Sequence, residues 1–112
     1  MTFTYDIANP DTTKALLSKV RLEIGDTTEN AGVRPDGSNF SDEELTHWLT
    51  EEDNDVMQTA ARACDALASA WSLMADETVG PRKVAYSKVS GNWSERATTL
   101  RGAYDSGVIT VL

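Results

Sequence analysis

Residues 53–76, DNDVMQTAARACDALASAWSLMAD, decide the fold. The polar side chains fall at Gln58, Arg62, Asp65, Ser69, Ser72 and Asp76, at alternating spacings of four and three. That is one narrow wet stripe on a helix. The rest of the circumference is Ala, Cys, Leu, Met, Val and Trp, with Thr59 as the exception. A helix apolar over most of its girth is buried over most of its girth. The many alanines let neighbouring helices come close. The stretch is therefore the central helix of the domain, about 35 Å long at about 1.5 Å per residue. Asp53 or Asn54 suits its N-cap. Cys64 reads as a small core residue, not a nucleophile.

Upstream, DTTKALLSKVRLEIG (11–25) reads as a first helix, with Leu17, Val20 and Ile24 on one face and Leu16 widening it. Pro10 and Asp11 fit its start and Gly25 its stop. Residues 1–9 are expected to be a flexible N-terminus. DTTENAGVRPDGSN (26–39) is rich in Asp, Asn, Gly and Pro, so 26–40 is a long loop with little to bury. It is a candidate to order on assembly.

FSDEELTHWL (40–49) follows. Ser41 at the N-cap and Glu44 three residues on make a capping box, with Phe40 and Leu45 as its hydrophobic staple. Asp42 and Glu43 suit the positive end of a helix dipole. Each acid thus has a structural job. Glu43, His47 and Glu51, spaced four and four, share a face. One His with two carboxylates is a weak metal signal, and the chain has no second His. DND at 53–55 lacks the glycine and closing glutamate of a calcium loop. No catalytic residue, cofactor or metal is expected.

Downstream, Gly80 and Pro81 break the central helix. Residues 83–89 alternate, which predicts a short extended segment. NWSERATTLRGAYD (92–105) predicts a last helix capped by Asn92 or Ser94, striped by Trp93, Ala97, Leu100 and Tyr104, and ended by Gly107. VITVL (108–112) is an apolar, β-branched tail, and 106–112 is expected to be extended. It packs on its own domain or adds an edge to a partner. The expectation is a single all-α domain over 1–112: a small bundle of about four helices around a long Ala-rich one.

The 112 residues carry a formal net charge of −8 and one cysteine. A disulfide framework is excluded and a reducing compartment expected. The first ten residues lack the features of a signal peptide. No stretch approaches the roughly 20 apolar residues of a membrane helix. Nucleic-acid binders usually run basic, so sequence-specific DNA binding is not expected. The charge is uneven. Between Glu23 and Asp55 eleven acids face one base, Arg34. After Thr78, Arg82, Lys83, Lys88, Arg96 and Arg101 outnumber Glu95 and Asp105. Either both are solvated surface, or an acidic face of one copy meets a basic face of the next. Such a head-to-tail contact makes a ring when the rotation closes. The candidate interaction residues are Glu43, Glu51, Glu52, Asp53, Asp55, Arg82, Lys83, Arg96, Arg101, Val108, Ile109 and Val111.

The succession of VRLEIGDT (20–27), an acidic loop, FSDEEL (40–45), an alanine-rich helix, a break and YSKVSGNWSERATTLR (86–101) resembles the small head-tail connector proteins of long-tailed bacteriophages. These are also called head-completion or adaptor proteins. The resemblance covers nearly the whole chain and brings no catalytic residues. It implies a virion subunit at the head-tail junction, assembled in the host cytoplasm into a ring expected to be dodecameric. That ring would dock on the portal protein, retain DNA in the head, and offer a surface to the next neck or tail-completion protein. DNA would pass through without sequence-specific binding, which an acidic or neutral lumen favours. The loop from Asp26 to Phe40 is longer than in compact members of the family. Two other classes stay open: an acidic protein-protein interaction module unrelated to virions, and a small metal enzyme centred on Glu43, His47 and Glu51.

Overall fold

The computed structural model describes the backbone of residues 2–110 and the side chains of residues 2–102. Among the described residues there are four helices and no strand: α1 (Thr12–Ile24), α2 (Asp42–Glu51), α3 (Val56–Asp76) and α4 (Pro81–Thr110). The protein is an all-α bundle. α3 is its centre and packs against each of the other three, most extensively against α4. Ala60, Ala61, Ala63, Cys64 and Leu67 of α3 are fully buried, whereas Asp65, Ser69, Ser72 and Asp76 of the polar stripe are exposed.

α1 starts on Asp11, whose carboxylate accepts from the N–H groups of Thr13 and Lys14. It stops at Gly25, which takes φ 76°. A side chain is strained in that left-handed conformation, so glycine is the natural stop. α2 has the capping box in full: Glu44 N–H donates to Ser41 Oγ at 3.1 Å, and Ser41 N–H to Glu44 Oε1 at 2.9 Å. Phe40 and Leu45 are both buried in the one core cluster. Phe40 meets Trp48 edge-on, with ring centroids 5.6 Å apart.

The structure corrects the sequence reading in several places. The N-cap of α3 is Asp55, which accepts from Gln58 N–H at 3.0 Å. Asp53 and Asn54 are unavailable because both are left-handed, at φ 54° and 65°. They turn the chain from α2 into α3, a conformation that Asp and Asn tolerate better than most residues.

The segment 83–89 is not extended. It forms the first turns of α4. Its alternation is misleading because only Tyr86 and Val89 turn inward, while Val84 is exposed. Tyr86, Ser90, Trp93, Ala97 and Leu100 make one stripe at alternating spacings of four and three, facing α3. Tyr86 packs on Trp71 at 5.6 Å between centroids, and Ser90 Oγ donates to Ala68 O at 2.7 Å. This antiparallel pairing draws the segment into the helix. Asn92 and Ser94 are therefore mid-helix and cap nothing, and Gly107 does not end the helix, which continues to Thr110. The tail expected from 106 enters the structure as these last helical residues. Val111 and Leu112 lie outside the described residues, as do the side chains of Val108 and Ile109.

The N-terminal residues 2–6 are tied down, unlike the flexible segment expected. Asp42 N–H donates to Thr2 O at 2.8 Å, Thr4 N–H to Asp42 Oδ1 at 2.8 Å, and Asp6 N–H to Ser18 Oγ at 2.9 Å. The loop 26–40 also has more to bury than its composition suggests. Trp71 Nε1 donates to Val33 O at 3.1 Å, and Arg34 lies over the Phe40 ring at 4.2 Å while pairing with Glu44. At Gly32 an added Cβ would fall 1.9 Å from Ser38 O, so the two sides of the loop touch backbone to backbone.

Thr59 is buried in α3, and its hydroxyl has no hydrogen-bond partner. A buried polar atom without a partner costs about 1–3 kcal/mol. Thr59→Val, which keeps the shape and removes the hydroxyl, is therefore expected to raise stability by about 1 kcal/mol in urea unfolding. A loss of stability would show that the hydroxyl is satisfied.

Candidate interaction surface

The chemistry of this chain concentrates at two kinds of place: one buried ionic node and a set of surface charges. The node is Arg21, on the buried face of α1 and fully inaccessible. Its Nε donates to Thr4 O at 2.8 Å, Nη1 to Asp26 Oδ2 at 2.8 Å and to Phe40 O at 2.9 Å, and Nη2 to Asp42 Oδ1 at 2.8 Å. The Phe3 ring covers the guanidinium at 4.1 Å. Asp26, also fully buried, accepts in addition from Asn39 Nδ2 at 2.8 Å and Phe40 N–H at 3.0 Å. Asn39 closes the set by donating to Thr28 O and accepting from Asn30 N–H. The stretches VRLEIGDT and NFSDEE thus meet at one point. Sequence reasoning placed Arg21 inside a motif but missed its burial. The signal was available: in an amphipathic helix with Leu17, Val20 and Ile24 inside, position 21 also lies on the inner face.

Burial alone would push the Asp42 carboxyl up. Hydrogen bonds from Thr4 and Arg21 outweigh it and hold the group below its ordinary 3.8. Burial likewise opposes ionisation of Glu44, and the Ser41 N–H with Arg34 prevails, so it too lies below its usual value. Burial raises the Cys64 thiol to about 11, which leaves it a protonated core side chain at neutral pH.

Among the candidate surface residues, several are already engaged within the chain. Glu51 Oε1 pairs with Arg62 at 2.7 Å and lies 3.3 Å from His47 Nε2, while Glu52 stands 3.6 Å from the same Arg62. Arg96 pairs with Glu23 at 3.1 Å and Arg101 with Asp65 at 2.6 Å. Asp55 is spent as a cap. Glu43 is exposed and accepts only from Thr2 Oγ1, at 3.0 Å. Asp53, Arg82 and Lys83 are exposed and make no ion pair among the described residues. Val108, Ile109 and Val111 lie outside the described side chains. The structure does not gather the other nine into one patch; it divides them among α2, the two ends of α3 and the flank of α4. Glu43, His47 and Glu51 share the outer face of α2. Among the described residues no three or more His, Cys, Asp or Glu side chains are grouped to hold a metal ion. None of the described helices is long and apolar enough to cross a membrane.

No protein-family model matches this chain, and no curated protein and no solved structure matches it either.

The pH dependence of stability follows from the node. Asp42 and Glu44 have folded pKa values below their unfolded ones. Their contribution is fully present above about pH 5 and is lost as pH falls through the ordinary carboxylate value and below it. Asp42→Asn is expected to lower stability at pH 7 and to flatten the loss between about pH 5 and 2, followed by urea unfolding. An unchanged pH profile would show that Asp42 is not ionised by the node.

Proposed function

We propose that this chain is a non-enzymatic structural subunit of the head-tail connector of a tailed bacteriophage. It would sit in a ring beneath the portal, close the filled head, and provide the attachment surface for the neck or tail-completion protein. The carrying observation is where the resembling stretches lie in space. Arg21 to Asp26 and Phe40 to Glu44, separated by a loop in sequence, interlock through Arg21, Asp26, Phe40 and Asp42. Two short motifs whose order and spacing suggested the family are thus halves of one structural device. This supports reading them together and weakens the reading of each as chance helix grammar.

The surface charge is in keeping with that role. The chain has a net charge of −8, and Glu43 and Asp53 remain exposed after the internal pairs are made. An acidic or neutral wall lets DNA pass where a basic one would hold it. Localisation at the head-tail junction, and contacts with portal and neck proteins, belong to the same proposal.

The experiment is electron microscopy of particles made without this gene in the virus that encodes it. The expected outcome is DNA-filled or leaking heads beside free tails, rescued by the gene supplied in trans. Complete, infectious virions would end the connector reading and leave the acidic interaction module in its place.

A further inference from the structure

With the internal ion pairs made, two surfaces stay open, and they lie at opposite ends of α3. At its C-terminal end, the tip of the α3–α4 hairpin exposes three aliphatic side chains: Leu73 at 63%, Val79 at 91% and Val84 at 65%. Arg82 and Lys83 stand in the first turn of α4, which holds no acid. The free N–H groups there already concentrate positive charge, and an anion is the favoured neighbour. With Lys88, these cations outnumber the nearby Asp76 and Glu77 in a chain that is acidic as a whole. At the other end of α3, the outer face of α2 and the turn after it expose Glu43 and Asp53, neither in an ion pair among the described residues, and Met57 is 37% exposed in the first turn of α3.

We propose that the α3–α4 tip of one copy docks on the α2 face and α2–α3 turn of the next. Exposed apolar groups gathered at one place and rimmed by polar residues mark an interaction site. The charge selects the occupant: among the described residues the tip carries the unpaired cations Arg82 and Lys83, and the α2 face and the turn after it carry the unpaired anions Glu43 and Asp53. α3 spans about 30 Å at about 1.5 Å per residue, so one chain cannot bring its own two ends together. The contact is therefore between copies. Its two halves differ, so it is heterologous and repeats, giving a ring where the rotation closes and an open filament where it does not. Closure into the connector ring rests on the function proposed above; the pairwise contact does not.

The test uses the whole chain and two double variants, with folding checked by circular dichroism. Val79→Asp with Val84→Asp disables the tip. Glu43→Lys with Asp53→Asn disables the acidic face, keeps a residue that tolerates the left-handed turn, and spares the Glu51–Arg62 pair. Sedimentation velocity up to about millimolar concentration is expected to show self-association of the unaltered chain, weakened by salt. Each variant alone is expected to be monomeric. Mixed, they are expected to form a 1:1 dimer and nothing larger, because each retains one competent half. A monomeric unaltered chain, a tip variant that associates as before, or a mixture that stays monomeric would each overturn the contact. The two proposals fail separately. If particles lacking the gene are defective but the tip variant assembles normally, this contact falls and the connector reading stands. If virions form without the gene while the mixed dimer appears, the contact stands and the connector reading falls.

Discussion

Everything in the N-terminal half depends on finding partners for one buried guanidinium. Arg21 uses four of its five N–H groups in hydrogen bonds, and those bonds reach three separate segments: residue 4, residue 26, and residues 40 and 42 at the start of α2. A buried charge left alone costs far more than a pair gains, so the arrangement is close to all-or-none. The node has two carboxylates for one cation. The extra negative charge is tolerated because Asp26 also accepts from Asn39 and the Phe40 N–H, and Asp42 also accepts from both the N–H and the hydroxyl of Thr4. The long loop is consequently not free to choose its path. Its first residue, Asp26, and its last two, Asn39 and Phe40, are fixed at the node.

The second half is held differently. Between α3 and α4 the contact is made by small residues and a sparse aromatic pair, Trp71 with Tyr86, and the ion pairs lie on its exposed flanks. Surface pairs of this kind contribute little each. What fixes the hairpin is burial in the common core, which holds Ala60, Ala61, Ala63, Cys64 and Leu67 of α3 together with Ala97 and Leu100 of α4. The one flaw there, the unpartnered Thr59 hydroxyl, lies on the buried side of α3.

How much of this was legible follows from which signals are local. The capping box at Ser41 and Glu44, the stop at Gly25 and the wet stripe of α3 are set by residues a few positions apart, and each appears where the sequence puts it. The errors come from non-local partners. Residues 83–89 have no helical stripe of their own; Tyr86 and Ser90 become its first members only when α3 supplies Trp71 and the Ala68 carbonyl. Residues 2–6, TFTYD, have no helical stripe, and Ser18, Arg21, Asp42 and Glu43 give them a place. The acids of 42–55 looked like a uniform acidic surface because sequence cannot show that Arg21, Arg34 and Arg62 reach back to Asp42, Glu44 and Glu51.

That sorting of charges also links the fold to the proposed assembly. Acids that the fold needs are matched by arginines from another segment. Glu43 and Asp53 have no such partner, and neither have Arg82 and Lys83 at the far end of α3. A local rule broken without local compensation, such as two cations in the first turn of a helix, is expected at functional or strained sites, and the proposed contact would supply the missing anions. In the proposed assembly the buried node would have an indirect role. Through Asp42 it holds the first turn of α2 against α1, and Glu43, the next residue in that turn, is thereby presented outward on a rigid element. In the proposed contact the neighbour would meet a preformed face, and forming it would require little ordering of the chain.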